Sequence, residues 1–258
     1  MIPLPEMSVN EIEVFFVEQK ISEQHFLIIF MAFYQRVDGQ LSAYAVWALI
    51  TFIRNFGAES TSLPLAQLTK ATGIQTKKLR VVLNELEQHG ILKIDFPETG
   101  KRARVRHLQL NLAYISDDLI MSVYSLDNII KRMSRKFPLL KFIELLFMKS
   151  AEIKISNLPK KTETDCNLDY RSYLVLLRLI YGADSFGIVV GCGIGEIERA
   201  TGLNKQSIYR AIQQLKQFGF IRCQANGAIR NSFIQTESPI YALNLSHKFW
   251  GDAAIYGK

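Results

Sequence analysis

The chain repeats itself. Shifted by 129 positions, the distance from Gly73 to Gly202, Leu68-Thr69-Lys70-Ala71-Thr72-Gly73-Ile74 falls on Ile197-Glu198-Arg199-Ala200-Thr201-Gly202-Leu203. Without a gap, the same shift pairs Leu79 with Ile208, Leu83 with Ile212, Leu86 with Leu215, Gln88 with Gln217, Gly90 with Gly219 and Leu92 with Ile221. Upstream it pairs Tyr44 with Tyr173, and downstream Leu110-Asn111-Leu112 meets Leu243-Asn244-Leu245 after a small insertion. A length of 258 residues exceeds the roughly 100 to 200 of a single domain, and a 48% hydrophobic content suffices for two packed cores. Two related domains satisfy both the length and the repeat.

Each copy begins with a densely apolar helix, Ser42 to Phe56 or Arg171 to Tyr181. A short second helix follows, Leu65 to Thr72 or Ile194 to Thr201, ended by Gly73 or Gly202, which can take the left-handed conformation that stops a helix. The third helix, Thr76 to His89 or Lys205 to Phe218, buries one face through Leu79, Val82, Leu83 and Leu86, or Ile208, Ala211, Ile212 and Leu215. After Gly90 and Gly219, the runs Ile91 to Phe96 and Phe220 to Gln224 read as strands. Turns near Glu98-Thr99-Gly100 and Asn226-Gly227, the latter a strong hairpin dipeptide, lead to return strands Arg104 to Leu112 and Ser232 to Leu245. The pattern is three helices and a two-stranded hairpin, twice.

These residues resemble the winged helix-turn-helix superfamily: Ala71-Thr72-Gly73-Ile74 and Ala200-Thr201-Gly202-Leu203 match its small-x-Gly-apolar turn between helices. The likeness covers Ser42 to Leu112 and about Leu168 to Leu245. It implies a mainly α fold with small β-hairpin wings, as two winged helix-turn-helix domains joined by a helical connector. The expected division is an N-terminal helical extension over 1–40, the first domain over 41–112, connector and linker over 113–167, and the second domain over 168–258. Within the connector, Ser116 to Ser134 and Pro138 to Lys149 read as helices, the latter with proline at its first position, and Ser156 to Asn167 as a polar linker. The N-terminal stretch Val9 to Arg36 reads as one or two amphipathic helices. Extension and connector helices could form a homodimer interface or cap the two domains, and both alternatives stay open.

The net charge of +7 favours a polyanionic partner. Its placement sharpens the point. Met1 to Gln24 is acidic, whereas Arg199, Lys205, Arg210, Lys216, Arg222 and Arg230 fall in a stretch to Thr236 without a carboxylate. Opposite the core stripe, the first copy's third helix carries Lys77, Lys78, Arg80, Val81 and Asn84, and the second copy's carries Gln206, Ser207, Tyr209, Arg210 and Gln213. In helix-turn-helix proteins the corresponding helix enters the major groove. Arg, Asn and Gln can make two-point contacts with base edges, whereas Lys, Ser and Thr serve phosphates or bases. The second helix is thus better suited to reading sequence and the first to gripping backbone. Lys101, Arg102, Arg104 and Arg106 make the first wing basic, and the alternation sets Arg102, Arg104 and Arg106 on one strand face. Adding Thr76, Asn204 and Lys205 at the helix starts, and Arg230 and Asn231 on the second wing, completes the expected contacts with double-stranded DNA. Lys131, Arg132, Arg135, Lys136 and Lys141 read as a solvated helix face.

Other chemistries find less purchase. Cys166, Cys192 and Cys223 are odd in number and widely spaced, which argues against a disulfide framework or zinc site and fits a reducing cytoplasm. Met1 to Asn10 has no basic leader region, and the most apolar run, Phe26 to Tyr34, falls well short of the ~20 residues of a spanning helix, so no membrane association is expected. Gly191-Cys192-Gly193-Ile194-Gly195 lacks the lysine of a phosphate loop and reads as a lead-in to the second helix. His25, His89, His107 and His247 form no metal-binding spacing. No cofactor, metal, small-molecule ligand or catalytic residue is expected, and the chain reads as a non-enzyme. Trp47 and Trp250 read as core or interface residues.

Three functions fit this reading. The first is a bacterial or phage-type transcriptional regulator that binds a specific duplex site. The second is an initiator of plasmid or mobile-element replication, whose layout of two winged domains and a helical connector is similar. The third is a protein-binding module like the kleisin-interacting tandem winged-helix subunits of chromosome-organising complexes, against which the Arg102, Arg104, Arg106 row argues.

Overall fold

The structure, a computed structural model, describes residues 34, 39–56, 61–95, 105–111, 135–150, 168–225 and 239–250. Among them the chain is mainly helical, with two small antiparallel sheets. The readings of 116–134, 156–167 and most of the N-terminal stretch, and both hairpin turns, lie outside the described residues. Two compact units divide the chain, one of Met1–Arg36 and Ala48–Leu126, the other of Val37–Trp47 and Asp127–Lys258.

In the first repeat the order is α1 (Ala43–Phe56), β1 (Thr61–Pro64), α2 (Leu65–Thr72), α3 (Thr76–Gln88), β2 (Leu92–Asp95) and β3 (Val105–Leu110). The α3 stripe Leu79, Val82, Leu83 and Leu86 is buried with Leu68 and Ile74, as the 3.6-residue periodicity requires. β3 lies between β1 and β2, with Leu63 opposite Arg106 and Ile94 opposite Leu108. The alternation of β2 is equally plain: Leu92 and Ile94 point inward, Lys93 and Asp95 outward.

The second repeat, preceded by α4 (Leu140–Lys149), runs α5 (Tyr170–Tyr181), β4 (Ile188–Val189), α6 (Ile194–Thr201), α7 (Lys205–Gln217), β5 (Ile221–Ala225) and β6 (Ile240–Leu243). β6 is central, between β4 and β5. Each sheet therefore has a third strand, β1 or β4, beyond the two-stranded hairpin expected from sequence. α5 is nearly all buried, and its Tyr173 hydroxyl donates to the Leu146 carbonyl of α4 at 3.0 Å. Trp47 packs edge-on against Tyr173, with ring centres 5.4 Å apart. Trp250 is buried too, donating its indole N–H to the Asn244 carbonyl at 3.0 Å and meeting Phe142 edge-on.

The residues that carry the repeat make the same bonds in both copies. Gly73 and Gly202 end α2 and α6 at φ of 69° and 64°, each donating its N–H to the carbonyl four residues back at 2.8 Å. Both preceding threonines are buried. The Thr72 hydroxyl donates to the Leu68 carbonyl at 2.8 Å and accepts the Ile74 N–H at 3.2 Å. Thr201 does the same with the Ile197 carbonyl, at 2.6 Å, and the Leu203 N–H, at 3.3 Å. After the last strands, the Asn111 side-chain amide donates to the Gly90 carbonyl at 2.7 Å, and Asn244 to the Gly219 carbonyl at 2.9 Å. Each asparagine thereby ties its final strand to the half-buried glycine at the end of the third helix.

Pro138 is not the first residue of α4. It sits in a turn in which the Leu140 N–H donates to the Phe137 carbonyl at 3.0 Å, the place where proline's fixed φ suits a turn. The helix starts two residues later because Phe137 and Leu139 are both buried and anchor that turn.

Candidate nucleic-acid interface

The outward faces of α3 and α7 follow from their buried stripes. At 3.6 residues per turn, the row farthest from the core on α3 is Lys77, Val81, Asn84 and Gln88, and all four are exposed. The corresponding row on α7 is Gln206, Arg210, Gln213 and Gln217, also exposed. Lys78 and Arg80 flank the first row and are exposed; Tyr209, 59% exposed, flanks the second, while Ser207 is half-buried. Thr76 is exposed at the start of α3, its hydroxyl 3.4 Å from that of Thr69 on α2.

The two helices begin differently. Asn204 caps α7, its side-chain oxygen accepting the Ser207 N–H at 2.9 Å. Gln75, in the same position before α3, makes no side-chain cap. The first turn of α3 instead carries Lys77 and Lys78 with no acidic residue, its two glutamates, Glu85 and Glu87, following in the last turns. Cations at the positive end of a helix macrodipole are unfavourable by a few tenths of a kcal/mol or more, a cost that an anion at that end would reverse. α7 repeats the bias more weakly, with Lys205 in its first turn.

Two cations of the basic stretch, Arg199 and Arg222, have side-chain partners within the protein. Arg199 pairs with Glu196 at 2.8 Å, and its backbone carbonyl accepts the Gly39 N–H. Arg222 donates to the Asn244 side-chain oxygen at 2.9 Å. The absence of carboxylates from Arg199 onward concealed the first of these, because the partner lies one turn upstream. On the wings, Arg106 lies in β3 opposite Leu63, and Lys101, Arg102, Arg104, Arg230 and Asn231 lie outside the described residues.

Packing accounts for two chemically versatile groups, Cys192 and His247. Cys192 is buried in the lead-in to α6, where Gly193 is the N-cap, and burial pushes its thiol up, away from the reactive thiolate. His247 stacks on Phe220; its Nδ1 accepts the Phe249 N–H at 3.1 Å, and its Nε2 lies 2.9 Å from the Phe218 carbonyl, to which it donates. Burial lowers the pKa of this imidazole from its ordinary value, against the opposing hydrogen bond to the Phe218 carbonyl. Among the described residues no group of His, Cys, Asp and Glu could hold a metal, and no helix is long and apolar enough to cross a membrane.

Compared with protein-family models and with curated protein sequences, the chain matches none.

Proposed function

We propose that the chain is a sequence-specific double-stranded DNA-binding protein with two winged helix-turn-helix domains, acting as a transcriptional regulator rather than as an enzyme. One observation carries the reading: at equivalent positions of the repeat, two exposed helical rows offer side chains that suit nucleic acid. On α7, Gln206, Arg210 and Gln213 match the two-point geometry of adenine and guanine edges. On α3, Lys77, Lys78 and Arg80 gather at a helix start that no side chain caps, which suits phosphate oxygens. Asn204 spends its oxygen on the cap of α7, so its amide nitrogen is the group left for DNA.

The helix–strand–helix–helix–strand–strand order in each repeat supports the winged-helix assignment, with the basic segment from Lys101 to Arg106 as the first wing and Arg230 and Asn231 on the second. A replication initiator is the second reading. It is favoured by the unlike rows on the two helices, since one chain with two different reading heads fits an asymmetric unit repeated head to tail better than a palindrome.

Enrichment of duplexes from a randomised pool tests the proposal. The expected result is a conserved site with a footprint of about one helical turn, or 10 base pairs, per engaged helix; an unenriched pool would contradict sequence specificity. A recovered site made of tandem direct repeats would favour the initiator, and a palindrome the regulator.

A further inference from the structure

Val81 occupies the centre of the outward row of α3, between Lys77 one turn before and Asn84 one turn after, and is 65% exposed. Nothing in folding calls for valine there. An exposed mid-helix position is served better by alanine or a long polar residue, because the β-branch restricts side-chain rotamers. Single exposed apolar residues are common on protein surfaces; this one stands out by its position in a row otherwise made of lysine, asparagine and glutamine. Arg210 occupies the equivalent point of α7, so the two helices differ most at their centres.

Resting on the DNA-binding reading above, we infer that Val81 is a specificity residue that packs its methyl groups on the C5-methyl of a thymine in the major groove. The major-groove edge of thymine is the one standard base edge that presents a methyl group, and apolar side chains select it by contact. The neighbours fit the same occupant. Lys77, Lys78 and Arg80 supply charge complementary to the phosphates that would frame the groove. Asn84, about 4.5 Å further along the helix axis, is the side chain that pairs with adenine. With base pairs about 3.4 Å apart, the thymine lies one or two base pairs from that adenine.

The experiment takes the duplex site recovered by selection and replaces each thymine in turn by deoxyuridine, which removes only the methyl group. Binding of the full chain and of Val81→Ala is measured on every duplex. Alanine is the better helix former, so the variant should keep its helical circular dichroism and melting temperature. At one thymine, deoxyuridine should weaken the wild-type complex by about threefold to tenfold, as expected for one buried methyl contact. Val81→Ala should bind thymine and deoxyuridine there within about twofold, with other positions unchanged. If the duplex binds but no thymine has a methyl dependence that disappears in Val81→Ala, the inference fails and the DNA-binding reading stands. If the wild-type chain selects no duplex at all, both fail.

Discussion

The two repeats share their joints and differ in their faces. At the joint, Thr72-Gly73 and Thr201-Gly202 make the same three hydrogen bonds, and Asn111 and Asn244 tie the corresponding strand end to the corresponding glycine carbonyl. On the outward rows, Lys77, Val81, Asn84 and Gln88 oppose Gln206, Arg210, Gln213 and Gln217, with only the last position alike. Residues that fix helix against strand are constrained by backbone geometry, whereas exposed rows are free to diverge with what they meet. One scaffold used for two different contacts is the economical explanation.

The largest effect should come from the joint. Gly202 needs its left-handed backbone and also has no room: a Cβ there would run into the Leu41 carbonyl oxygen and lie 2.6 Å from the Ala43 nitrogen, both backbone atoms. Gly202→Ala should therefore lose more stability than the ~1–2 kcal/mol expected of left-handed strain alone. Urea denaturation measures the loss, and a value within that range would mean that the close approach beside Gly202 relaxes at no cost.

Next come the faces. Arg210→Ala should cost about 1–3 kcal/mol on the selected site and relax preference at one base pair. The pair Lys77→Ala and Lys78→Ala should instead weaken all duplexes evenly and make the logarithmic salt slope shallower by about 2. Titrations against matched, single-mismatch and random duplexes at several salt concentrations separate these outcomes. A uniform loss for Arg210→Ala would erase the proposed division of labour. Smaller still is the capping contrast: Asn204→Ala should destabilise by about 1 kcal/mol, and Gln75→Ala, with no cap to lose, should stay within about 0.5 kcal/mol of wild type. Thermal melts measure both.

Much of this architecture was legible in the chain because its helices are punctuated. Gly73 and Gly202 mark the ends of α2 and α6 at the residues where the structure ends them, and the apolar spacing gives the buried stripes of α3 and α7. β1 and β4 are not legible in the sequence for a physical reason. Four residues ending in Pro64, and the two residues Ile188 and Val189, are too short to show alternation, and only pairing with β3 or β6 makes them strands. Pro138 is ambiguous in sequence because proline suits a turn as well as a first helical position. The repeated threonines and asparagines were visible, but which backbone groups they serve depends on tertiary neighbours. At the candidate interface, the sequence supplied the outward residues of both third helices. It did not reveal that Asn204 caps α7, or that Arg199 and Arg222 are engaged by Glu196 and Asn244.

The most direct test of the proposed DNA-binding reading is the salt dependence of duplex binding by the whole chain. If six to eight side chains meet phosphates, the logarithm of the association constant should fall against the logarithm of salt concentration with a slope of about −5 to −7. A flat response, or no binding to duplex even in dilute buffer, would contradict the account.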